Sequence, residues 1–132
     1  MSAAAALQKA IFQRLSTDAA LMALVGAAGV TDRLLAKPSL PLVVIRSIDS
    51  SDRSTATEEG EEHLVTIDAW SENGGHLEVQ TIAARVRLLL HDADLTIEGF
   101  HLVSLLHRTT RIRRDGKTRY HRAEMRFRAV TE

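Results

Sequence analysis

Apolar side chains recur at three- and four-residue spacing from Ala3 to Leu15, at Leu7, Ile11, Phe12 and Leu15. That period gathers them on one helix face and leaves Gln8, Lys9, Gln13 and Arg14 toward water. "STDAALMALV" restarts the pattern and predicts a short second helix, capped by Ser16, Thr17 or Asp18 and stopped by Gly26. Residues 26–41 hold two glycines and both prolines of the chain, and read as a linker with a strand-like turn at Val30. The period then changes. "LVVIRSID", 42–49, is β-branched and apolar on both faces, as in a strand that is covered on both sides or central in its sheet. The tract 50–60 has no apolar residue larger than Ala56 to anchor it, so it predicts a mobile loop or an extended hairpin tip.

"EEHLVTIDAWS" is a second strand, with Val65, Ile67 and Ala69 on one face and Leu64, Thr66, Asp68 and Trp70 on the other. "ENGG" ends it. Val79, Ile82, Val86 and Leu89, helped by Ala83 and Leu90, form the clearest amphipathic helix, from about His76 to His91. "DADLTIEG" is a turn and a short extended piece, and "FHLVSLLHRTTRIRR" is the next strand. Asp115-Gly116 in "RDGK" then signals a hairpin. Beyond it Ala123, Met125, Phe127 and Ala129 alternate with Arg122, Glu124, Arg126 and Arg128, so one face packs on a core and the other presents guanidinium groups. The order α-α-β-β-α-β-β predicts a single α+β domain over residues 1–132, a mainly antiparallel sheet of about four strands with helices on one face.

Composition narrows the function. The chain has 132 residues, 45% of them apolar, enough for one ordinary core, and no apolar run near the roughly 20 residues that cross a bilayer. With no signal-peptide block at the N-terminus, the expectation is a soluble product made in the cytoplasm without membrane contact. The absence of Cys excludes disulfides, thiolate nucleophiles and Cys-based zinc sites. Net charge is zero, yet unevenly spread. Residues 108–128 carry nine basic and two acidic side chains, whereas "DSSDRSTATEEGEE", 49–62, sets six carboxylates against Arg53 alone.

Catalytic chemistry has no visible vehicle. His101 and His107 share a strand and His121 lies on the next, but no H-E-x-x-H pattern or supporting shell points to a metal. Glu58, Glu59, Glu61 and Glu62 lie in a tract too polar to raise a carboxyl pKa for acid catalysis, and "EEGEE" lacks the spacing of a calcium loop. There is no G-x-S-x-G, no Walker-type loop and no dinucleotide fingerprint, so no catalytic residue and no cofactor are assigned and the chain reads as a non-enzyme.

The basic stretch remains, with Arg108, Arg111, Arg113, Arg114, Arg119, Arg122, Arg126 and Arg128 against the single Lys117. Arg in that excess favours geometry-matched pairing with carboxylate or phosphate. An unpaired ladder of like charges repels itself across strands. Single-strand nucleic-acid binding by stacking normally needs several exposed aromatics among the basic residues, and here only Tyr120 and Phe127 are at hand.

Five stretches in order, "ALQKAIFQRLSTDAALMALVG", "DR" followed by "PSLPLVVI", "TEEGEEHLVTIDAWS", "GGHLEVQTIAARVRLLLHDADL" and "EGFHLVSLLHRTTRIRRDGKTRYHRAEMRFRAVTE", resemble the tail terminators, tail-completion proteins of phages, prophages and gene transfer agents. The resemblance covers nearly the whole chain. It implies a cofactor-free structural subunit that forms a ring, expected to be a homohexamer, at the head-proximal end of a long tail. Such a ring would end growth of the tail tube, join the head-side connector and let DNA pass through its pore. A heterologous ring needs two unlike, complementary patches per subunit. The basic residues named above and Glu58, Glu59, Glu61 and Glu62 are the expected assembly surfaces, meeting across subunits or across the tube contact. The competing reading is a small nucleic-acid-binding protein using the same basic hairpin on phosphate.

Overall fold

The computed structural model describes residues 1–33, 39–72 and 75–132. Helix α1 (Ala3–Ser16) starts where Ser2 Oγ accepts the N–H of Ala5 at 3.1 Å. Helix α2 (Ala19–Val25) starts where Asp18 accepts the N–H of Leu21 at 2.9 Å, so Asp18 is the cap among the three candidates and Thr17 instead closes α1. Gly26 ends α2 at φ 87°, a conformation that side chains with a Cβ rarely adopt. The strand-like turn at Val30 is a two-residue strand, β1 (Val30–Thr31), and the part of the anticipated linker at 34–38 lies outside the described residues.

The remaining elements follow the anticipated order: β2 (Leu42–Asp52), β3 (Glu61–Ser71), α3 (Gly75–Leu90), β4 (Leu102–Arg114) and β5 (His121–Thr131). The fold is α+β as expected, with β1 making five strands of the anticipated four. Sheet order is β1-β2-β3-β5-β4, parallel only between β1 and β2. The period-two alternation decides which side of each strand is dry. Val43, Ile45, Val65, Ile67, Met125 and Phe127 join Leu7, Ile11, Val79, Ile82 and Val86 of the helices in one core. His63 is buried in this layer, its Nδ1 2.7 Å from Ser50 Oγ and its Nε2 2.9 Å from Thr131 Oγ1, so it staples β3 to the sequence ends of β2 and β5. Burial pushes its pKa down.

The hairpin between β4 and β5 differs from a tight Asp-Gly turn. Asp115 N–H donates to Tyr120 O at 2.7 Å and Arg119 N–H to Asp115 O at 2.9 Å, giving a wider loop over 115–120. The left-handed residue is Arg119, φ 64°, rather than Gly116. Asp115 accepts from both the N–H and the hydroxyl of Thr118, at 2.9 and 2.8 Å, and these bonds hold its carboxyl below the usual range.

Asp18 does more than cap α2. Its two oxygens accept from Nε and Nη2 of Arg85, both at 2.8 Å, tying α2 to α3 in a bidentate pair. Arg85 first, and the Leu21 N–H next, pull the Asp18 pKa down to about 2. Because the folded pKa lies below the unfolded one, this contribution is complete above roughly pH 4 and is lost as pH falls toward 2. Asp18→Asn, which can still cap, should lower the urea midpoint at pH 7 and match the wild-type midpoint near pH 2; a gap that stays constant with pH would contradict the pair's role.

Candidate assembly surfaces

Strand register places the tips of the two charged hairpins at opposite ends of the sheet, while Arg128 of the basic tract still reaches Glu62 of the acidic one. Glu61 pairs with Thr131 and Asp52 at one end, and Ser71 pairs with His121 at the other. The β2–β3 tip, 53–60, therefore lies one strand length from the β4–β5 loop, 115–120, roughly 33 Å at about 3.3 Å per residue. The two cannot neutralise each other within one copy.

The acidic tip is built rather than loose. Arg53 N–H donates to Gly60 O and Thr55 N–H to Glu58 O, both at 2.8 Å, while Asp52 Oδ1 accepts from Ser54 N–H at 2.9 Å. Glu58 and Glu59 are exposed and make no ion pair among the described residues. Glu61 opens β3, 3.8 Å from His63 Nε2. Glu62 is committed within the chain: it holds Arg128 at 2.7 Å and Arg53 at 2.8 Å, and Arg128 first keeps its carboxyl below the usual range.

The eight arginines divide in the same way. The Arg122 guanidinium lies 5.4 Å from the Trp70 ring centroid, Arg126 is 3.3 Å from Glu124, and Arg128 faces Glu62. Arg111 lies opposite Glu124 in the β4–β5 ladder, Arg114 opposite His121, and Arg108 falls in a register break between His107 and Thr109. Arg113 opposite Arg122 is the one direct Arg–Arg pair of that ladder, so the anticipated like-charge repulsion is largely relieved by register. Arg108, Arg111, Arg113, Arg114 and Arg119 are exposed and without ion pairs among the described residues. Histidines 107 and 121 sit six ladder positions apart on β3's scale, and among the described residues no three metal-donor side chains gather.

Sequence reasoning overlooked Arg46. It follows Ile45, so ordinary alternation puts its side chain on the helix-free face of the sheet, and the ladder shifts register between Ile45 and Ser47 around it. There its Nε is 2.9 Å from Asp68, and its Nη2 bonds Glu124. Asp68 and Glu124 are directly opposed on β3 and β5 and are 2% and 8% exposed, so Arg46 bridges two buried like charges, with Arg126 also 3.3 Å from Glu124. Burial pushes the Asp68 carboxyl up against the pull of Arg46 and Arg122; at Glu124 burial acts the same way, but Arg46 and Arg126 outweigh it and hold the group low. A lone Arg inside the apolar run "LVVIRSID" and a lone Asp inside "VTIDAW" were the available signals. Beside this cluster a groove of about 460 Å³ is lined by Arg46, Asp49, Leu64, Thr66, Arg108 and Arg126.

The protein is thus an α+β domain with unlike hairpin tips and exposed guanidinium groups on its outer strand. The chain matches the family described as Tail completion protein gp17 over residues 9–132, and it belongs to that family, which gives it a structural role in a phage-like tail. Among solved structures, a chain of the virion of a native gene transfer agent (GTA) particle is 33% identical, superposes with a TM-score of 0.90, and aligns over 99% of this chain and 98% of that one. Comparison with curated proteins gives no match.

Arg46→Ala should cost about 2–3 kcal/mol in urea unfolding at pH 7, because it strands two carboxylates. The deficit should shrink toward pH 3 as Asp68 and Glu124 take up protons, and Arg46→Lys should recover only part of it, since Lys lacks the fork that spans both acids. A deficit independent of pH would mean that Arg46 acts through packing alone.

Proposed function

We propose that this chain is the ring-forming cap of a phage-like tail: six copies close on the last ring of the tail tube, stop its growth and receive the head-side connector. The observation that carries this reading is the unlike charge of the two sheet ends in a member of the tail completion family. A cap between two different neighbours needs two different rims. Copies arranged with their sheets along the ring axis present the acidic tips, with Glu58 and Glu59, on one rim, and the basic loops, with Lys117 and Arg119, on the other. The 33% identity to a chain of a gene transfer agent virion supports a place in such a particle; the head-proximal end of the tail is the position the cap reading assigns. DNA would pass through the ring without being read.

Exposed Arg46, Arg108, Arg111, Arg113 and Arg126 on or beside the helix-free face favour a second reading, phosphate binding. Salt separates the two, because several phosphate contacts make affinity fall steeply with log salt. Filter binding to duplex DNA at two salt concentrations should give weak retention at both; tight binding abolished by salt would favour the second reading.

The rims are tested by charge reversal. Glu58→Lys with Glu59→Lys should disrupt one junction, and Lys117→Glu with Arg119→Asp the other, Asp being chosen because it tolerates the positive φ of position 119. Electron micrographs should show overlong, uncapped tubes from one variant and finished tails free of heads from the other. Normal joined particles from either variant, or the same defect from both, would contradict the two-rim arrangement.

A further inference from the structure

Both outer strands of the sheet have open edges. Among the described residues β4 has β5 as its only strand partner, but on its outer side Leu105 O accepts from Asp92 N–H at 2.7 Å and His107 N–H donates to His91 Nδ1 at 2.9 Å, so its open edge is the part beyond His107, up to Arg114. Strand β2 carries β1 only at Val43 and Val44, leaving Ile45–Asp52 without a strand on that side. Each open edge is a row of backbone donors and acceptors ready to take another strand.

We infer that copies of this chain join through these edges: β4 of one copy pairs antiparallel with β2 of the next, staggered by four residues, so that Arg111 faces the next copy's Asp49. The inference rests on the ring reading above and names the contact that closes the ring.

Charge selects the partner. Arg108, Arg111, Arg113 and Arg114 repel a second β4 edge, which disfavours a symmetric dimer. Of the stretch Ile45–Asp52, Arg46 is held by Asp68 and Glu124 on its own subunit, and the remainder, Ser47–Asp52, has the exposed Asp49 and Asp52 and no basic residue. Direction fits as well. Strands β2, β3, β5 and β4 alternate in direction, so a copy placed alongside by rotation sets its β2 antiparallel to β4 and continues the alternation.

Register is fixed twice over. Arg114 is level with Ser71 on β3, through His121, whereas β1 occupies the β2 positions level with Ala69 and Asp68. The smallest slide that carries Arg114 past β1 brings it level with Ile67, opposite Ile45, four positions from Ser71. Four is even, so every side chain keeps its own face of the sheet. At that stagger Ile112 meets Ile48 and Thr110 meets Ser50 on the helix side, while Arg111 meets Asp49 on the open side. The steric limit set by β1 and the pairing of charges therefore choose the same register. A slide of four residues, roughly 13 Å, over four strands, roughly 19 Å wide, tilts the strands by roughly 35° from the ring axis, within the range of closed barrels. A groove of about 380 Å³ beside the β2 edge, between Ala4, Ala5 and Gln8 of α1, Asp32, and Ile45 and Ile48, leaves room for the incoming strand.

The chain has no cysteine, so introduced pairs report cleanly. Within one copy β2 and β4 are separated by two intervening strands, too far for a disulfide between these positions. Asp49→Cys/Arg111→Cys and Ser50→Cys/Thr110→Cys occupy neighbouring ladder positions, of which one is a non-hydrogen-bonded pair with close Cβ atoms. Mild oxidation of the free protein and of purified tails should give a ladder of covalent multimers that ends at the ring, whereas each single Cys variant stops at dimer. Rings visible in negative stain with no ladder from either pair would overturn the edge contact and leave the ring reading standing. Neither rings nor ladder in either preparation would overturn both. Independently, Asp49→Arg or Arg111→Asp alone should raise the concentration needed for assembly by roughly tenfold, and the two together should restore it. Failure of the exchange to restore assembly, in a subunit whose thermal melt is unchanged, would overturn the register.

Discussion

The eleven-residue antiparallel ladder between β3 and β5 is the constraint on which the rest of the molecule depends. It aligns Val65, Ile67 and Ala69 with Phe127, Met125 and Ala123 on the helix side, so a one-residue slip would exchange the core for a row of arginines. The same alignment brings Asp68 level with Glu124 on the other side. Two buried carboxylates at one level are offset by Arg46, which β2 brings between them, and by Arg126 beside Glu124. The ladder also holds the acidic tip and the basic loop a full strand length apart, and that separation makes the charges of a neutral chain available to other molecules.

Charge in this protein does two separate jobs. Arg46, Arg126, Arg128 and Arg122 belong to the subunit: they neutralise Asp68, Glu124 and Glu62 or lie over Trp70. Arg108, Arg111, Arg113, Arg114 and Arg119 lack such partners among the described residues and lie on the outermost strand or its loop. Exposed charges contribute little to a subunit's stability, so this cluster of uncommitted guanidinium groups adds little to folding. The two-residue strand β1 has a matching effect at the far edge. It blocks Val43 and Val44, and so confines the available part of β2 to its acidic half.

Much of the fold was legible because period and punctuation are local. The helical spacing of Leu7, Ile11 and Leu15, the alternation of Ala123, Met125, Phe127 and Ala129, and the stop at Gly26 each specify an element without reference to the rest of the chain. The width of the β4–β5 turn was not legible, because the Asp115 side chain caps Thr118 and moves the left-handed residue to Arg119. Strand β1 was legible only as a turn, since two residues carry no period.

By itself, then, the sequence determined the α+β class and the presence of two opposed charged tracts, which follow from order and composition along the chain, and its stretches resembled the family to which it belongs. Only the tertiary structure decided which charges are spent internally, Arg128 on Glu62 among them, which lie on the outer strand, and that the two hairpin tips sit at opposite ends. Those facts depend on cross-strand register, through which residues far apart in sequence become neighbours. Arg126 and Arg111, two ladder levels apart on adjacent strands, consequently differ in partner: Arg126 is 3.3 Å from Glu124, and Arg111, opposite Glu124, makes no ion pair among the described residues.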